Sequence, residues 1–282
     1  MEHLTNFAPL AARYDGFVLD LWGVIHDGVT PYPGAVECLE RLRAAAKRVV
    51  LLSNAPRRAA HAAAAMRAMG IGNILYDGIV TSGEVTHALL RDRSDPAFAA
   101  LGRRLFHIGP ERDRNVFDTL DVESVAEPAA ATFVLNTGPD DSRHPTAIGP
   151  WEATLRACRE AGLPMICANP DLEVIRGGER VICAGALAQH YATLGGEVIW
   201  VGKPDPAIYR PVLDALGVAK GRVLAVGDGL RTDIAGAAAA GLDAAWVLGG
   251  IHGAALAGPG AAEAMARRAG LAPLATLPAL RW

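Results

Sequence analysis

The sequence predicts an α/β protein: a parallel sheet covered by helices on both faces, interrupted by a smaller α/β insertion. Three observations carry this. Apolar, β-branched-rich runs are continuous rather than alternating, as in strands buried on both faces. Each such run is followed by an Ala-rich stretch of helical length. Polar residues with chemistry to offer stand directly after these runs, and right-handed crossovers gather such strand ends along one edge, where ligands bind.

Taken in order, "GFVLDLW" (16–22) is a strand and "PGAVECLERLRAAA" (33–46) a helix with Pro at its start. "RVVLLSN" (48–54) is the next strand, and "RRAAHAAAAMRAMG" (57–70) a helix closed by Gly70. Later come the strand "EVIWVG" (197–202), the helix "PAIYRPVLDALG" (206–217), the strand "RVLAVGDG" (222–229), the helix "RTDIAGAAAAG" (231–241) and the strand "DAAWVLGG" (243–250). The middle has strands ("RRLFHIG", "ATFVLN", "PMICAN") and helices ("TAIGPWEATLRACREAG", "GALAQHYATLG") of its own. Its spacing suits an independent insertion over 81–197, with 1–80 and 198–282 forming one discontinuous domain around it. Thr81, Ser82 and Glu84 read as a capping box where the insertion begins.

Composition sets bounds. The 282 residues are 51% hydrophobic and 20% charged, which allows a sizeable core and argues against disorder. A net charge of −3 gives no reason to expect nucleic acid, and no Lys/Arg block suggests a membrane surface. The N-terminal "MEHLTNFAPLAARYDG" does not have the pattern of a signal peptide, and no apolar run reaches membrane-spanning length. Cys38, Cys158, Cys167 and Cys183 are scattered, which points to a reducing cytoplasm rather than to zinc or disulfides.

After the core strands come Asp20, then Ser53 and Asn54, then Lys203 in "VGKPDP", then Asp228 and Asp233 in "GDGLRTD". A carboxylate, a hydroxyl, an ammonium and two further carboxylates suit phosphoryl transfer. Carboxylates hold Mg²⁺, a hard ion that prefers oxygen. The metal and a lysine neutralise phosphate charge, a hydroxyl donates to a phosphate oxygen, and one carboxylate can act as nucleophile.

"DLWGV", "LLSN", "GKP" and "GDGLRTD", in that order, resemble the haloacid dehalogenase (HAD) superfamily across nearly the whole chain. The insertion between the second and third motifs, with "PG" (33–34), "TSGE" (81–84) and "NPD" (169–171), resembles the C2-capped, NagD-like class IIA phosphatases. That resemblance implies a Rossmann-like core with a C2-type cap and Mg²⁺ as cofactor. It also implies Asp20 as nucleophile and metal ligand, with the Trp22 carbonyl, Asp228 and Asp233 completing the metal set. Ser53 and Lys203 would hold the phosphate, assisted by backbone amides around Trp22, Gly23 and Asn54. Asn169 and Asp171 would face the phosphate site from the cap. Cap-to-cap dimers occur in the class, so a homodimer is expected.

One position departs from the family's pattern. Two residues after the nucleophile these phosphatases normally carry a second Asp that protonates the leaving group and then activates water. Here stands Trp22, whose N–H only donates. A positioned general acid–base is worth roughly 10²–10⁴ in rate. His26 and Asp27, just downstream, are candidates for the proton work. A substrate with a good leaving group would need little of it. A non-catalytic binder of phosphorylated metabolites is the alternative function.

Other classes fall away. There is no GxxxxGK[ST], GxSxG or HExxH, and "GGIHGAALAGPG" (249–260) lacks the GxGxxG order. The cap would choose among small phosphorylated metabolites. "LNTGPDD" (135–141) is a candidate specificity loop, and Arg112, Arg114, Arg143 and Arg176 are candidates for a second anionic group.

Overall fold

A computed structural model of the chain describes residues 1–140, 146–256 and 260–282. Asp141 and Arg143 lie outside the described residues.

The larger sheet has seven strands, in the order Glu2–His3, Ala275–Leu277, Asp243–Val247, Val223–Gly227, Gly16–Leu19, Arg48–Ser53 and Gly78–Thr81, all paired in parallel. Alternate residues of each strand feed two separate apolar layers. Phe17, Leu19, Val49 and Leu51 pack on one face, and Val18, Val50, Leu52 and Ala225 on the other. This is why the strands read as unbroken apolar runs. Helices Ala35–Ala44 and Tyr209–Leu216 cover opposite faces, the latter ended by Gly217 in the left-handed conformation.

The smaller sheet runs Val198–Trp200, Met165–Cys167, Phe133–Asn136, Arg104–Ile108 and Glu123–Val125, again all parallel. It too has an apolar layer on each face. The α/β architecture with a two-faced parallel sheet and a capping α/β insertion is as expected.

Two details differ. The strand expected at 197–202 in the larger sheet pairs with Met165–Cys167 and belongs to the smaller one. A short apolar run carries no mark of which sheet it joins, and here the chain crosses back only after Trp200. The larger sheet also gains three strands that the sequence reading does not contain: Gly78–Thr81, Ala275–Leu277 and the two-residue edge Glu2–His3, the last too short and polar to read from sequence.

The helix Ser82–Asp92 begins where the capping box lies, with Thr81 Oγ1 accepting from the Glu84 amide at 3.0 Å. The reciprocal arm is absent: Glu84 turns its carboxylate to Arg58 at 2.8 Å and to the Ala59 amide at 3.0 Å. Among the described residues, no helix is long and apolar enough to cross a membrane.

Candidate active site

Asp20 follows the interior strand Gly16–Leu19, flanked on both sides by neighbours, and its amide donates to the Val226 carbonyl at 2.9 Å. Lys203 arrives from the chain's return crossing. Its Nζ donates to Asp20 Oδ1 at 2.7 Å, to Asp233 Oδ1 at 2.6 Å and to the Leu52 carbonyl at 3.1 Å. All three side chains are buried. Asp233 sits in a π-helical turn, Leu230–Ile234, directly after the strand Val223–Gly227, and its Oδ2 accepts from the Gly229 amide at 2.9 Å.

Asp228 completes the group. Oxygens of Asp20, Asp228 and Asp233 all lie within 4.8 Å of one another. The Asp228 carboxylate is pressed between two glycines: a Cβ on Gly23 or on Gly250 would lie 1.9 Å from its Oδ2. Gly23 also has φ +77°, which favours glycine on its own account. The Ile251 amide donates to the same oxygen at 2.6 Å.

Three buried carboxylates face one ammonium, so the cluster carries excess negative charge. Burial first, and the charge of Asp233 second, push the Asp228 carboxyl up to about 8 and hold Asp20 well above the usual carboxylate range. Burial works to lower Lys203, but Asp20, Asp233 and Asp171 outweigh it and hold the ammonium charged. An oxygen-only, charge-excess, converging donor set fits a hard divalent cation.

Ser53, at the end of the neighbouring strand, is buried and its Oγ accepts from the Ala55 amide at 3.2 Å. Asn54 is a staple between the two sheets' domains. Its Nδ2 donates to Asp171 Oδ1 at 3.0 Å and to the Lys203 carbonyl at 3.1 Å, while its Oδ1 accepts from the Lys203 amide at 2.8 Å. Asn169 turns its Oδ1 back to the Asp171 amide at 3.0 Å, which fixes the loop that presents Asp171.

Trp22 is half-buried, edge-on to His26 with ring centroids 5.4 Å apart. A Cβ on Gly28, which has φ +86°, would lie 2.1 Å from the indole. The ring is therefore fixed in place by its own loop. His26 is buried, its Nδ1 accepts from the Gly28 amide at 3.0 Å, and burial lowers it to about 4. Asp27 Oδ1 accepts from the amides of Val29 at 2.9 Å and Thr30 at 2.7 Å, closing the turn. These two candidates for proton transfer line neither of the cavities described next.

One cavity, of about 210 Å³, is lined by Asp20, Lys203, Asp228 and Asp233. A second, of about 240 Å³, is lined by Ala55, Arg57, Arg112, Thr137, Asn169 and Arg176 among others. Trp22, Asp171 and Val174 form part of both walls. The expected specificity loop contributes Thr137, Gly138, Pro139 and Asp140 to the second cavity, whereas Arg114 is engaged with Glu111, Asp118 and the Phe117 ring.

Sequence reasoning missed several wall residues. The antiparallel hairpin Glu173–Arg176/Glu179–Ile182 roofs the site, with Gly177 and Gly178 both at positive φ. "EVIRGGERVI" announces such a turn by its Gly-Gly pair. Arg231, whose Nη2 donates to the Pro170 carbonyl at 2.5 Å, stands in the π-helical turn Leu230–Ile234, and His252 comes from a loop with no periodic signal.

With this geometry in place, the chain can be set beside known proteins. Residues 17–123 match a family of haloacid dehalogenase-like hydrolases, and residues 200–274 a second HAD-hydrolase-like family. The chain belongs to the haloacid dehalogenase-like hydrolases and is an enzyme of that family. It is 30% identical to chronophin of Bos taurus over 244 residues, 80% of this chain and 78% of that one. A haloacid dehalogenase-like hydrolase from Brucella suis 1330 superposes with a TM-score of 0.84 at 37% identity, covering 98% of this chain and 99% of the other. A glycerol phosphate phosphatase from Mycobacterium tuberculosis, in complex with magnesium, superposes with a TM-score of 0.65 at 26% identity, covering 89% of this chain and 73% of that one.

Proposed function

We propose that this hydrolase is a Mg²⁺-dependent phosphohydrolase of small phosphorylated metabolites in the cytoplasm, working through an aspartyl-phosphate at Asp20. The observation that carries the reading is the buried contact of Lys203 with Asp20 and Asp233, beside Asp228, at one sheet edge. The phosphatase name of the Mycobacterium tuberculosis relative agrees with it, and four buried, unpaired cysteines suit a reducing compartment.

Asp20, Asp228 and Asp233, with the Trp22 carbonyl, would hold the metal, which when bound supplies positive charge to the phosphate oxygens. Lys203 fixes Asp20 Oδ1 and leaves the other carboxylate oxygen for phosphorus. Ser53 Oγ and the amide of Asn54 would supply donors to the transferring group, whereas the Gly23 amide, expected to join them, donates to the His26 carbonyl at 3.1 Å. Attack by Asp20 breaks the bond between phosphorus and the leaving oxygen. Water then attacks the aspartyl-phosphate, releasing phosphate and restoring the carboxylate. Trp22 provides no proton to either step, so the leaving group departs unaided or another wall residue serves it.

The test is Mg²⁺-dependent phosphate release over a panel that runs from acyl phosphates to alkyl phosphates, with Asp20→Asn as control. The reading expects release that the substitution abolishes. No Asp20-dependent release on any compound, with metal still bound, would instead make the protein a phosphometabolite binder.

A further inference from the structure

Trp22 leaves an open place in the chemistry, and the walls of the two cavities show what stands beside it. Phosphate chemistry occupies the cavity of Asp20 and Lys203, so a leaving group extends toward the second cavity, across the Trp22 wall. A proton donor for that group has to reach both spaces. Among the described residues, Asp171 is the one ionisable side chain on both walls. His252 and Glu173 line the first cavity alone, and His252 Nε2 accepts from the Leu230 amide at 3.4 Å while Glu173 pairs with Arg180. Asp113 lines the second alone and faces Arg57 at 3.7 Å.

We propose that Asp171, delivered from the cap, is the general acid–base of this enzyme and takes over the duty that the indole of Trp22 cannot perform. The inference rests on the phosphohydrolase reading and specifies its proton path.

Asp171 is built for a fixed position. Asn54 Nδ2 donates to its Oδ1 at 3.0 Å, its own amide is held by Asn169 Oδ1 at 3.0 Å, and its carbonyl accepts from the Gly185 amide at 3.1 Å. A Cβ on Gly185 would come within 2.4 Å of that carbonyl, so the cap helix Ala184–Thr193 starts directly against the loop. These bonds leave Oδ2 for the cavity. The ionisable groups around it are Lys203, Asp20, Asp228, Asp233, Arg231 and His252 from the core and Glu173 from the hairpin on the first cavity's side, and Arg57, Arg112, Asp113, Asp140, Arg176 and Cys183 on the second's. Burial is the largest influence on Asp171 and raises it above the usual carboxylate range, against the pull of Lys203. A carboxyl shifted in that direction holds a proton to higher pH, as an acid catalyst must.

The steps balance. Asp20 attacks phosphorus, the ester bond breaks, and the proton of Asp171 passes to the leaving oxygen. The resulting Asp171 carboxylate takes a proton from the water that attacks the aspartyl-phosphate, so the carboxyl is restored as phosphate departs. Net, ester and water give alcohol and phosphate.

Asp171→Asn tests this, because the amide oxygen still accepts from Asn54. Expected in single-turnover experiments is a loss of about 10²–10⁴ in the rate of alcohol release from glycerol phosphate, with the rate of acetate release from acetyl phosphate, which needs no acid, changed less than about threefold, while breakdown of the aspartyl-phosphate slows alike for both. The acidic-group limb of the kcat–pH profile on glycerol phosphate should vanish as well. Equal losses in that first step on both substrates would mark a structural role and overturn the proposal, as would no loss on either. Should the variant fail to fold, the wild-type enzyme decides with a series of aryl phosphates: a shallow dependence on leaving-group pKa supports a proton donor, and a steep one overturns it. Failure of the underlying reading looks different: Asp20→Asn would then leave turnover of every substrate unchanged.

Discussion

Lys203 and Asp20, 183 positions apart in sequence, meet through a hydrogen bond of 2.7 Å with both side chains buried, and the same ammonium reaches Asp233 at 2.6 Å. One cation thus balances part of a cluster of three acids. Removing one partner of a buried ion pair typically costs about 3–5 kcal/mol. Lys203→Met is expected to lower stability by about 3 kcal/mol in chelator and by less in Mg²⁺, read by denaturant melts. Phosphate release should fall roughly 10²–10³-fold, since a charge aimed at the reacting group is lost.

Metal binding should depend on pH with a definite sign. With no metal bound, Asp228 titrates at about 8 when folded, against 3.8 as its ordinary value. Between those values the folded chain holds a proton that the unfolded chain has released, so this group's contribution to stability is lost as pH rises toward 8. Mg²⁺ competes with that proton. The rise in melting temperature on adding Mg²⁺ to chelator-treated protein is expected to grow from pH 5.5 to pH 8. A rise that stays constant would contradict the assignment.

His107 should shape the acid side. Burial holds it at about 4 when folded, against 6.5 ordinarily. From pH 6.5 down to about 4 the unfolded chain takes up a proton that the folded chain does not, so stability falls with pH, by up to about 1.4 kcal/mol per unit for one such group. His107 Nε2 lies 2.9 Å from Thr137 Oγ1, a contact that glutamine can retain. His107→Gln is expected to flatten the stability–pH curve over this window, with little change at pH 7.5.

Gly28→Ala should act through Trp22. The new Cβ would fall 2.1 Å from the indole, at a φ of +86° that alanine tolerates poorly. Expected are a stability loss of about 1–3 kcal/mol and a changed ratio of kcat/KM between bulky and small phosphate esters, because the wall between the cavities has moved. Unchanged selectivity would show that the indole does not divide the two spaces.

The larger sheet and the acids at its edge were legible in the sequence because burial on both faces writes itself as unbroken apolar runs. Parallel winding then leaves no choice about where Asp20, Ser53, Asp228 and Asp233 gather. Lys203 was legible too, though the strand before it was placed in the wrong sheet: Val198, Ile199 and Trp200 suit an edge strand of either. The cap's share of the site was harder to see. Asn169 and Asp171 were identified, but nothing in a Pro turn tells how far its carboxylate reaches. His252 sits on a loop, where no period connects position in the chain with position in space, and Arg231, though it opens a helix legible in the sequence, carries no mark that it reaches across to Pro170. The Gly-Gly hairpin was the one roof element with a signal of its own.

The roof is tied to the floor by a few polar bonds: Arg180 Nη2 to the Ile251 carbonyl at 3.3 Å, Arg231 to the Pro170 carbonyl, and Asn54 to Asp171. The bonds that hold the roof in place would also set how readily a ligand passes beneath it. Speed and dryness are therefore set against each other by the same residues. Looser ties would release product sooner but admit bulk water beside Asp20. Tighter ties would shield Asp20 and lengthen every cycle.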